Sequence, residues 1–278
     1  MHGVRRLLLS GLAALCVAGP AAAVDTFDLV SDTQFRVCAD PANMPFSNEA
    51  GEGFENAIAE LLASKLGKPV AYTWFPQSLG FVRRTLAENR CDVIMGFAQG
   101  HELVLNTNHY YVSAYSFVTR ADSNLADVDH IGDPRLQGRR LGLIAGSPPA
   151  DHAARHGLVR GAKGYRLMVD TRNQNVADQV LDDIESGEID GAFMWGPIAG
   201  WKAMQAKTPM VVTPLLKEEG APRLFFRVTL GVRMGEDGWK RELNSLLRRN
   251  KDEIDAILSS YGVPLVDDFG RTGAGAVQ

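Results

Sequence analysis

Apolar residues in the first third of the chain come either in continuous runs or at helical spacing. The run Phe35–Ala39 predicts a buried strand, and runs at residues 70–75 and 91–98 predict two more. Between the first two runs, apolar residues share one helix face at i, i+4, i+7, i+8 and i+12: Phe54, Ile58, Leu61, Leu62 and Leu66. Gly67 is expected to end this helix, and residues 79–89 to form a shorter one. This βαβαβ order predicts a parallel sheet with helices on both faces.

The same alternation returns in the second half of the chain. Strands are predicted at residues 140–145, 165–170 and 189–195, and helices after Gly146-Ser147 and over residues 175–186. Two extended segments, at residues 110–120 and 225–234, would join the two halves. The apolar spacing between residues 240 and 260 predicts a closing helix that packs on the first half.

These elements predict an α/β clamshell of two lobes, with mainly parallel sheets flanked by helices and two crossover strands. Residues 24–118 would form the first part of lobe I, residues 119–224 lobe II, and residues 225–269 the segment that returns to lobe I. Residues 270–278 hold too little apolar surface to order themselves, so we expect a flexible tail. In open α/β sheets a ligand binds beyond the carboxyl ends of the strands.

The N-terminus has the composition of an export signal. Arg5 and Arg6 precede an apolar stretch at residues 7–18, and residues 21–23 are three alanines of the kind that signal peptidase accepts. The stretch is shorter than the ~20 residues needed to span a bilayer. We expect cleavage after Ala23 and a soluble periplasmic protein without stable membrane insertion. An uncleaved membrane anchor is the alternative.

Charge excludes one class of partner. Removing the leader takes away two of the 29 basic residues and none of the 33 acidic ones, which leaves a net charge of −6. With no basic excess and no stripe of Arg and Lys, the sequence lacks the electrostatic footprint of a nucleic-acid-binding protein.

Two cysteines remain after the leader is removed, Cys38 in the first predicted strand and Cys91 at the start of the third. In an oxidising compartment such a pair predicts a disulfide. The bridge requires those strands to be neighbours, because its Cα atoms must lie within ~7 Å of each other. Two free buried thiols are the alternative.

No catalytic constellation stands out. The sequence has no G-x-S-x-G, no phosphate-binding G-x-x-x-x-G-K-[ST] and no G-x-G-x-x-G after a strand. His152 and His156 share a helix face, but they lack the Glu of the zinc-protease motif and an evident third ligand. The sequence therefore predicts no catalytic residues, no metal site and no cofactor.

Several residues that follow predicted strands or start helices would face the cleft between the lobes. The candidates for a ligand or partner cleft are Asp40, Asn43, Phe46, Glu55, Phe81, Gln99, Ser147 and Trp195. Asp40 suits a cation or a donor-rich ligand, and a structural role is an equal alternative. For Glu55 the helix macrodipole is the favoured explanation. Ser147 would either cap its helix or receive an anion, and Trp195 would either stack on a ligand or join the core.

A resemblance to known proteins rests on an ordered set of segments. They read Arg-Val-Cys-Ala-Asp-Pro at residues 36–41, Asn-Met-Pro-Phe-Ser-Asn at 43–48, Gly-Glu-Gly-Phe-Glu-Asn at 51–56, Tyr-Thr-Trp-Phe-Pro-Gln at 72–77, Gly-Phe-Val-Arg at 80–83, Arg-Cys-Asp-Val-Ile-Met-Gly at 90–96 and Trp-Gly-Pro at 195–197. Over nearly all of the mature chain, the order of elements resembles type II periplasmic solute-binding proteins. The segments themselves resemble the MxaJ/XoxJ-like group, factors associated with quinoprotein methanol dehydrogenases.

Two positions depart from the amino-acid binders of the wider family. Those proteins place an Arg shortly after the third strand to pair with the α-carboxylate, and this chain reads Gln99-Gly100-His101-Glu102 there. They also place an Asp at the end of the last lobe II strand, where this chain has Trp195. Without both charge partners, a standard amino acid is not the expected ligand.

The resemblance implies a non-enzymatic accessory factor that associates with a methanol dehydrogenase dependent on pyrroloquinoline quinone (PQQ). Whether the cleft also binds a small ligand, and which one, is left open. The alternative is a substrate-binding receptor of an ABC transporter for another small solute. A third hypothesis, an enzyme such as a dehydratase, requires Asp40, Glu55 and His101 to converge.

Overall fold

The computed structural model describes residues 29–100 and 102–271. The predicted signal peptide at residues 1–23, His101 and nearly all of the predicted tail lie outside the described residues.

Strands and helices alternate along the chain. The first half contains β1 (Phe35–Ala39), β2 (Ala42–Asn43), β3 (Ser47–Asn48), α1 (Phe54–Leu66), β4 (Val70–Trp74), α2 (Phe81–Arg84), β5 (Val93–Ala98) and β6 (Leu105–Arg120). The second half contains β7 (Leu141–Ile144), α3 (Pro148–Arg155), β8 (Lys163–Tyr165), α4 (Val176–Glu185), β9 (Gly191–Trp195), α5 (Gly196–Gln205), β10 (Met210–Pro214), β11 (Phe225–Val232), α6 (Asp237–Arg249) and α7 (Lys251–Ser260).

Most of the strands form one sheet in the order β4-β1-β5-β11-β6-β9-β7-β8, with β10 also paired to β6, while β2 and β3 pair in a separate short hairpin. Lobe I holds the parallel set β4-β1-β5, and lobe II holds the parallel set β9-β7-β8. The crossover strands β6 and β11 are antiparallel to each other and to their neighbours in the lobes. The two-lobed α/β clamshell is confirmed, while the predicted lobe boundaries stay a prediction.

Strand β6 belongs to both lobes. Its residues from Leu105 to Ala114 pair with β11, and its residues from Tyr115 to Val118 pair with β9. A strand of 16 residues is long for a globular protein. The strand therefore runs without interruption from one lobe into the other.

Helix α1 shows why the apolar spacing predicted the fold well. The apolar residues Phe54, Ile58 and Leu62 are fully buried against the lobe I sheet, and burial of each contributes about 2 kcal/mol. The Asn56 side chain accepts a hydrogen bond from the Gly53 N–H at 3.1 Å, which secures the first turn. Gly67 ends the helix in the left-handed conformation at φ 65°, as predicted.

The closing helix packs on lobe I, as predicted, but it is two helices rather than one. Leu243 and Leu246 from α6 join the same core as Ile254 and Leu258 from α7. The break falls at Asn250, whose side-chain amide donates to the Leu246 carbonyl at 2.8 Å. An Asn side chain that bonds the backbone in this way competes with continuous helix.

The predicted strand at residues 165–170 is mostly wrong. Strand β8 ends at Tyr165, and the segment from Arg166 to Asn175 is an irregular loop. Its apolar residues made it read as a buried strand, yet Leu167 and Met168 are 49% and 54% exposed. Helix α5, which follows β9 directly, was not predicted from the sequence. Pro fits the first turn of a helix, because the missing N–H is not needed there.

Cys38 and Cys91 form a disulfide with their Cα atoms 5.4 Å apart. Strands β1 and β5 are neighbours, with Cys38 in register with Ile94, so both the bond and the predicted strand adjacency are confirmed. In the chain-entropy model, a crosslink over 53 residues stabilises the fold by about 4 kcal/mol.

Across residues 29–100 and 102–271, no helix combines the length and the apolar character needed to cross a bilayer.

Candidate functional site

A cavity of ≈160 Å³ lies between the lobes. Lobe I contributes Ala42, Asn43 and Met44 from the short hairpin that follows β1. Lobe II contributes the ends of β7 and β9, the first turns of α4 and α5, and the loop that follows β8. The cavity therefore lies beyond the carboxyl ends of β1, β7 and β9, where α/β sheets bind ligands.

Three of the predicted cleft residues line this cavity: Asn43, Ser147 and Trp195. The Asn43 amide donates to the Gln77 side chain at 3.2 Å, which holds the hairpin to the rest of lobe I. The Ser147 hydroxyl donates to the Ile144 carbonyl at 2.7 Å, so its side chain does not cap helix α3. These three residues, one in lobe I and two in lobe II, lie around the same cavity, and their role in binding stays a prediction.

Trp195 stands in an aromatic cluster at the crossover strands. Its ring lies 5.2 Å from the Tyr115 ring and 5.9 Å from the Phe226 ring, both edge-to-face. Its outer part packs against the lobe I core, while another part lines the cavity. Trp195 therefore both packs in the core and forms a wall of the cavity, and the two roles foreseen for it are compatible.

Asp40 does not line the cavity but is joined to it. Its Oδ1 accepts hydrogen bonds from the Ala42 N–H at 2.9 Å and from the Thr171 hydroxyl at 2.8 Å. Its Oδ2 accepts from the Gln77 N–H at 2.6 Å. Because Thr171 belongs to the lobe II loop, this 2%-exposed carboxylate connects the two lobes. Its hydrogen bonds favour a structural role for Asp40.

Glu55 lies behind this carboxylate, at the start of α1, and it too is outside the cavity lining. A Cβ added at Gly96 of β5 would overlap its Oε1, so the Glu55 carboxyl packs directly against the backbone of that strand. Burial, reinforced by the negative charge of Asp40, raises the pKa of Glu55 to about 8. The carboxyl therefore carries a proton at neutral pH and adds no negative charge beside Asp40.

The remaining candidates lie elsewhere. Phe46 contacts Phe54 at 5.2 Å between ring centroids, on the lobe I core. Phe81 is buried with both disulfide cysteines in a separate cluster. Gln99 is exposed and donates its backbone N–H to the Arg227 carbonyl at 3.0 Å. These three side chains are not among those that line the cavity.

Sequence reasoning missed the contribution of the loop that follows β8. Arg166, Leu167, Val169 and Thr171 all line the cavity. Arg166 is the one charged residue among the described residues of the lining. Tyr115, opposite Trp195 in the sheet register, was also missed. Burial raises its pKa to about 12, so its hydroxyl stays protonated at neutral pH.

The comparisons with known proteins place this geometry in a family. Protein MoxJ of Paracoccus denitrificans is 31% identical over 284 residues, which cover 94% of this chain and 97% of MoxJ. The chain belongs to the MoxJ family. The resemblance seen in the ordered segments is thereby confirmed.

Two crystal structures are similar to this MoxJ-family chain over the same region. The periplasmic binding protein XoxJ from Methylobacterium extorquens AM1 is 44% identical, with a TM-score of 0.73, and the match covers 84% of this chain and 100% of XoxJ. MxaJ from Methlophaga aminisulfidivorans MPT is 28% identical, with a TM-score of 0.74 and the same coverage. No protein-family model matches the sequence.

This MoxJ-family chain offers no charged pair for an amino acid. The cavity lining includes neither an Asp nor a Glu among the described residues, so an ammonium group would find no carboxylate there. An amino acid buried in this cavity would lose part of the hydration of its ammonium group without gaining an ion pair.

The histidine pair of helix α3 has a different role from metal binding in this structure. Oε1 of Glu218 lies 2.9 Å from Nδ1 of His152 and 3.1 Å from Nε2 of His156, and its Oε2 accepts from the Ile131 N–H at 2.6 Å. These contacts tie α3 to two loops of lobe II. Within the part of the chain that the structure describes, no group of three or more His, Cys, Asp or Glu residues is arranged to hold a metal ion.

Proposed function

We propose that this chain is a periplasmic accessory factor that associates with a PQQ-dependent methanol dehydrogenase and assists its activation, maturation or stabilisation. The observation that carries the proposal is membership of the MoxJ family, together with the resemblance of the segments around Cys38, Phe54, Cys91 and Trp195 to dehydrogenase-associated factors. PQQ belongs to the partner in this proposal, and the chain itself holds no cofactor.

A binding role without catalysis is supported by the chemistry of the cavity. Among the described lining residues there is no Asp, Glu, His or Cys that could act as acid, base or nucleophile. Asp40 has three hydrogen-bond donors on its two oxygens, and Glu55 is buried away from the cavity. Neither carboxyl is placed to reach a bound molecule.

Export to the periplasm is part of the proposal and has its own test. The basic leader and the alanines at residues 21–23 favour cleavage after Ala23. N-terminal sequencing of the protein recovered from the periplasm should begin at Val24. An intact Met1, or a start beyond about Phe27, would contradict it.

The partner test uses the purified mature chain and a purified methanol dehydrogenase. Addition of the chain should change the activity, the thermal stability or the metal and PQQ loading of the enzyme, and co-elution should report the association. Trp195→Leu alters the cleft, whereas Met234→Ser alters a 66%-exposed residue after β11. Loss of the effect with the first variant alone locates the contact at the cleft. No association and no effect at any salt concentration would reject the proposal.

A transport receptor for a small solute is the second candidate, and the cavity between two lobes favours it. The solute would not be a standard amino acid, because the charged partners are missing. Calorimetry with the twenty amino acids should show no Kd below ~1 mM, about −4 kcal/mol. A small solute that binds with high affinity, together with a membrane permease partner, would favour the transport receptor over the accessory factor.

A further inference from the structure

The cavity between the lobes combines features that together select one class of ligand. Its volume of ≈160 Å³ is close to that of an apolar protein cavity known to hold benzene, about 150 Å³. Two aromatic residues, Trp195 and Tyr115, are among its walls, and their rings are held edge-to-face at 5.2 Å. Rings fixed in this way offer a preformed surface to another flat ring.

The rest of the wall is apolar on several sides. Met44 enters from lobe I, and Ile144, Met194 and Ile198 enter from lobe II. Methionine side chains adapt to the outline of a ligand and contact aromatic rings favourably. The body of the ligand should therefore be a single ring or an unsaturated group of similar size.

Charge in the lining has one sign. Arg166 is the one ionised residue among the described lining residues, and no carboxylate within residues 29–100 and 102–271 forms an ion pair with it. The nearby Asp183 is already bonded to Lys163 and to the Tyr165 hydroxyl. The first turn of α4 also lines the cavity, and its macrodipole adds a small positive potential.

We infer that this cavity is a binding site for a small aromatic monocarboxylate of about the size of benzoate. The ring lies in the apolar part beside Trp195 and Tyr115, and the carboxylate meets the Arg166 guanidinium at the solvent-exposed rim. An Arg–carboxylate pair of this kind forms two parallel N–H···O bonds. A neutral aromatic alcohol lacks the charge, and an α-amino acid adds an ammonium group for which the described lining has no carboxylate.

The site does not depend on the association with a dehydrogenase. The assay contains the mature chain and the ligand alone, so its failure and the failure of the proposed partnership are distinguishable. Sodium benzoate is the probe, and benzyl alcohol is its neutral counterpart. Calorimetry and the change in tryptophan fluorescence report binding at low salt.

Benzoate should bind saturably with one site per chain, and benzyl alcohol should bind about tenfold more weakly or not at all. Arg166→Gln should lower the affinity for benzoate about tenfold and leave that for benzyl alcohol unchanged. Arg172→Gln is the matched control, because Arg172 lies in the same loop but is paired with Asp170 at 2.7 Å. That variant should bind benzoate within about twofold of the unaltered chain.

Equal binding of benzoate and benzyl alcohol would overturn the inference, as would equal affinity in the Arg166→Gln chain. So would the absence of saturable binding up to ~10 mM, since that excludes any useful affinity. Melting temperatures of both Arg variants should match that of the unaltered chain, because both side chains are exposed. A binding loss therefore reports contact with the ligand rather than unfolding.

Discussion

The Thr171 hydroxyl donates a 2.8 Å hydrogen bond to Asp40 Oδ1, across 131 positions of sequence and from one lobe to the other. The same oxygen accepts the Ala42 N–H, and the other carboxylate oxygen accepts the Gln77 N–H. One buried carboxylate therefore holds two lobe I loops and the lobe II loop that lines the cavity.

Thr171→Val should loosen the loop after β8 while keeping the shape of the side chain. We expect the free energy of unfolding to fall by about 1 kcal/mol, because one hydrogen bond to the carboxylate is lost. Hydrogen exchange at residues 166–174 should become faster. Thr213→Val is the control, since it removes a hydroxyl bond to the Ala126 carbonyl within lobe II. If both variants changed exchange in the loop equally, the link between the lobes would not control it.

Glu55 should make the fold less stable as the pH rises. The pKa of Glu55 is about 8 in the folded chain and 4.5 when exposed, so the folded state retains a proton that the unfolded state loses. The stability is fully present below pH 4.5 and declines as the pH rises towards 8, by up to about 1.4 kcal/mol per pH unit.

Glu55→Gln should remove this pH dependence, because the amide keeps the shape of the protonated carboxyl and does not ionise. Denaturant unfolding at pH 5 and pH 8 measures the effect. At pH 8 the Glu55→Gln variant should be more stable than the unaltered chain. The exposed Glu60 on the same helix provides the control, Glu60→Gln. Parallel pH curves for Glu55→Gln and the unaltered chain would contradict the prediction.

The disulfide between Cys38 and Cys91 should be formed in all of the exported protein. Thiol titration in denaturant should detect no free thiol without reductant and two after reduction, from Cys38 and Cys91. Reduction should lower the free energy of unfolding by about 4 kcal/mol, because the unfolded chain regains the freedom of the closed loop. Two thiols titrated before reduction would show that the bond does not form.

Gly200→Ala should damage the contact between helix α5 and the turn after α7. A Cβ at Gly200 would overlap the Gly262 carbonyl, so the two backbones touch with no room for a side chain. A loss of about 3 kcal/mol in unfolding free energy is expected, at the upper end of the typical cost of forced overpacking. Gly164→Ala is the control, because no atom lies within 4 Å of its added Cβ. Similar melting temperatures for both variants would refute the close contact.

The parts of this protein that could be predicted are those where burial produces a regular pattern of apolar residues along the sequence. Phe35–Ala39 was found as a continuous apolar run, and α1 was found because its apolar face must cover one side of the sheet. The disulfide was predicted because Cys38 lies in such a strand and Cys91 lies two residues before another, β5. Asn43, Ser147 and Trp195 were found because residues that follow parallel strands collect at one edge.

The path of a loop is not marked by any regular pattern of apolar residues. Arg166 and Thr171 line the cavity from an irregular loop, and the bond from Thr171 to Asp40 joins residues 131 positions apart, which no local pattern encodes. Phe81 was placed in the cleft by its position after a strand, yet its helix has four residues, too few for a period to fix its direction. Its side chain is buried beside the disulfide instead.

Because strand β6 supplies backbone hydrogen bonds to both lobes, neither lobe has a complete sheet without the other. Separation of the chain near residue 119 would place β6 in the N-terminal fragment and both of its partners, β9 and β11, in the C-terminal fragment. Loss of either lobe thus lowers the stability of its neighbour, which makes unfolding cooperative across the whole molecule. The two lobes should melt in a single calorimetric transition, although their hydrophobic cores are separate.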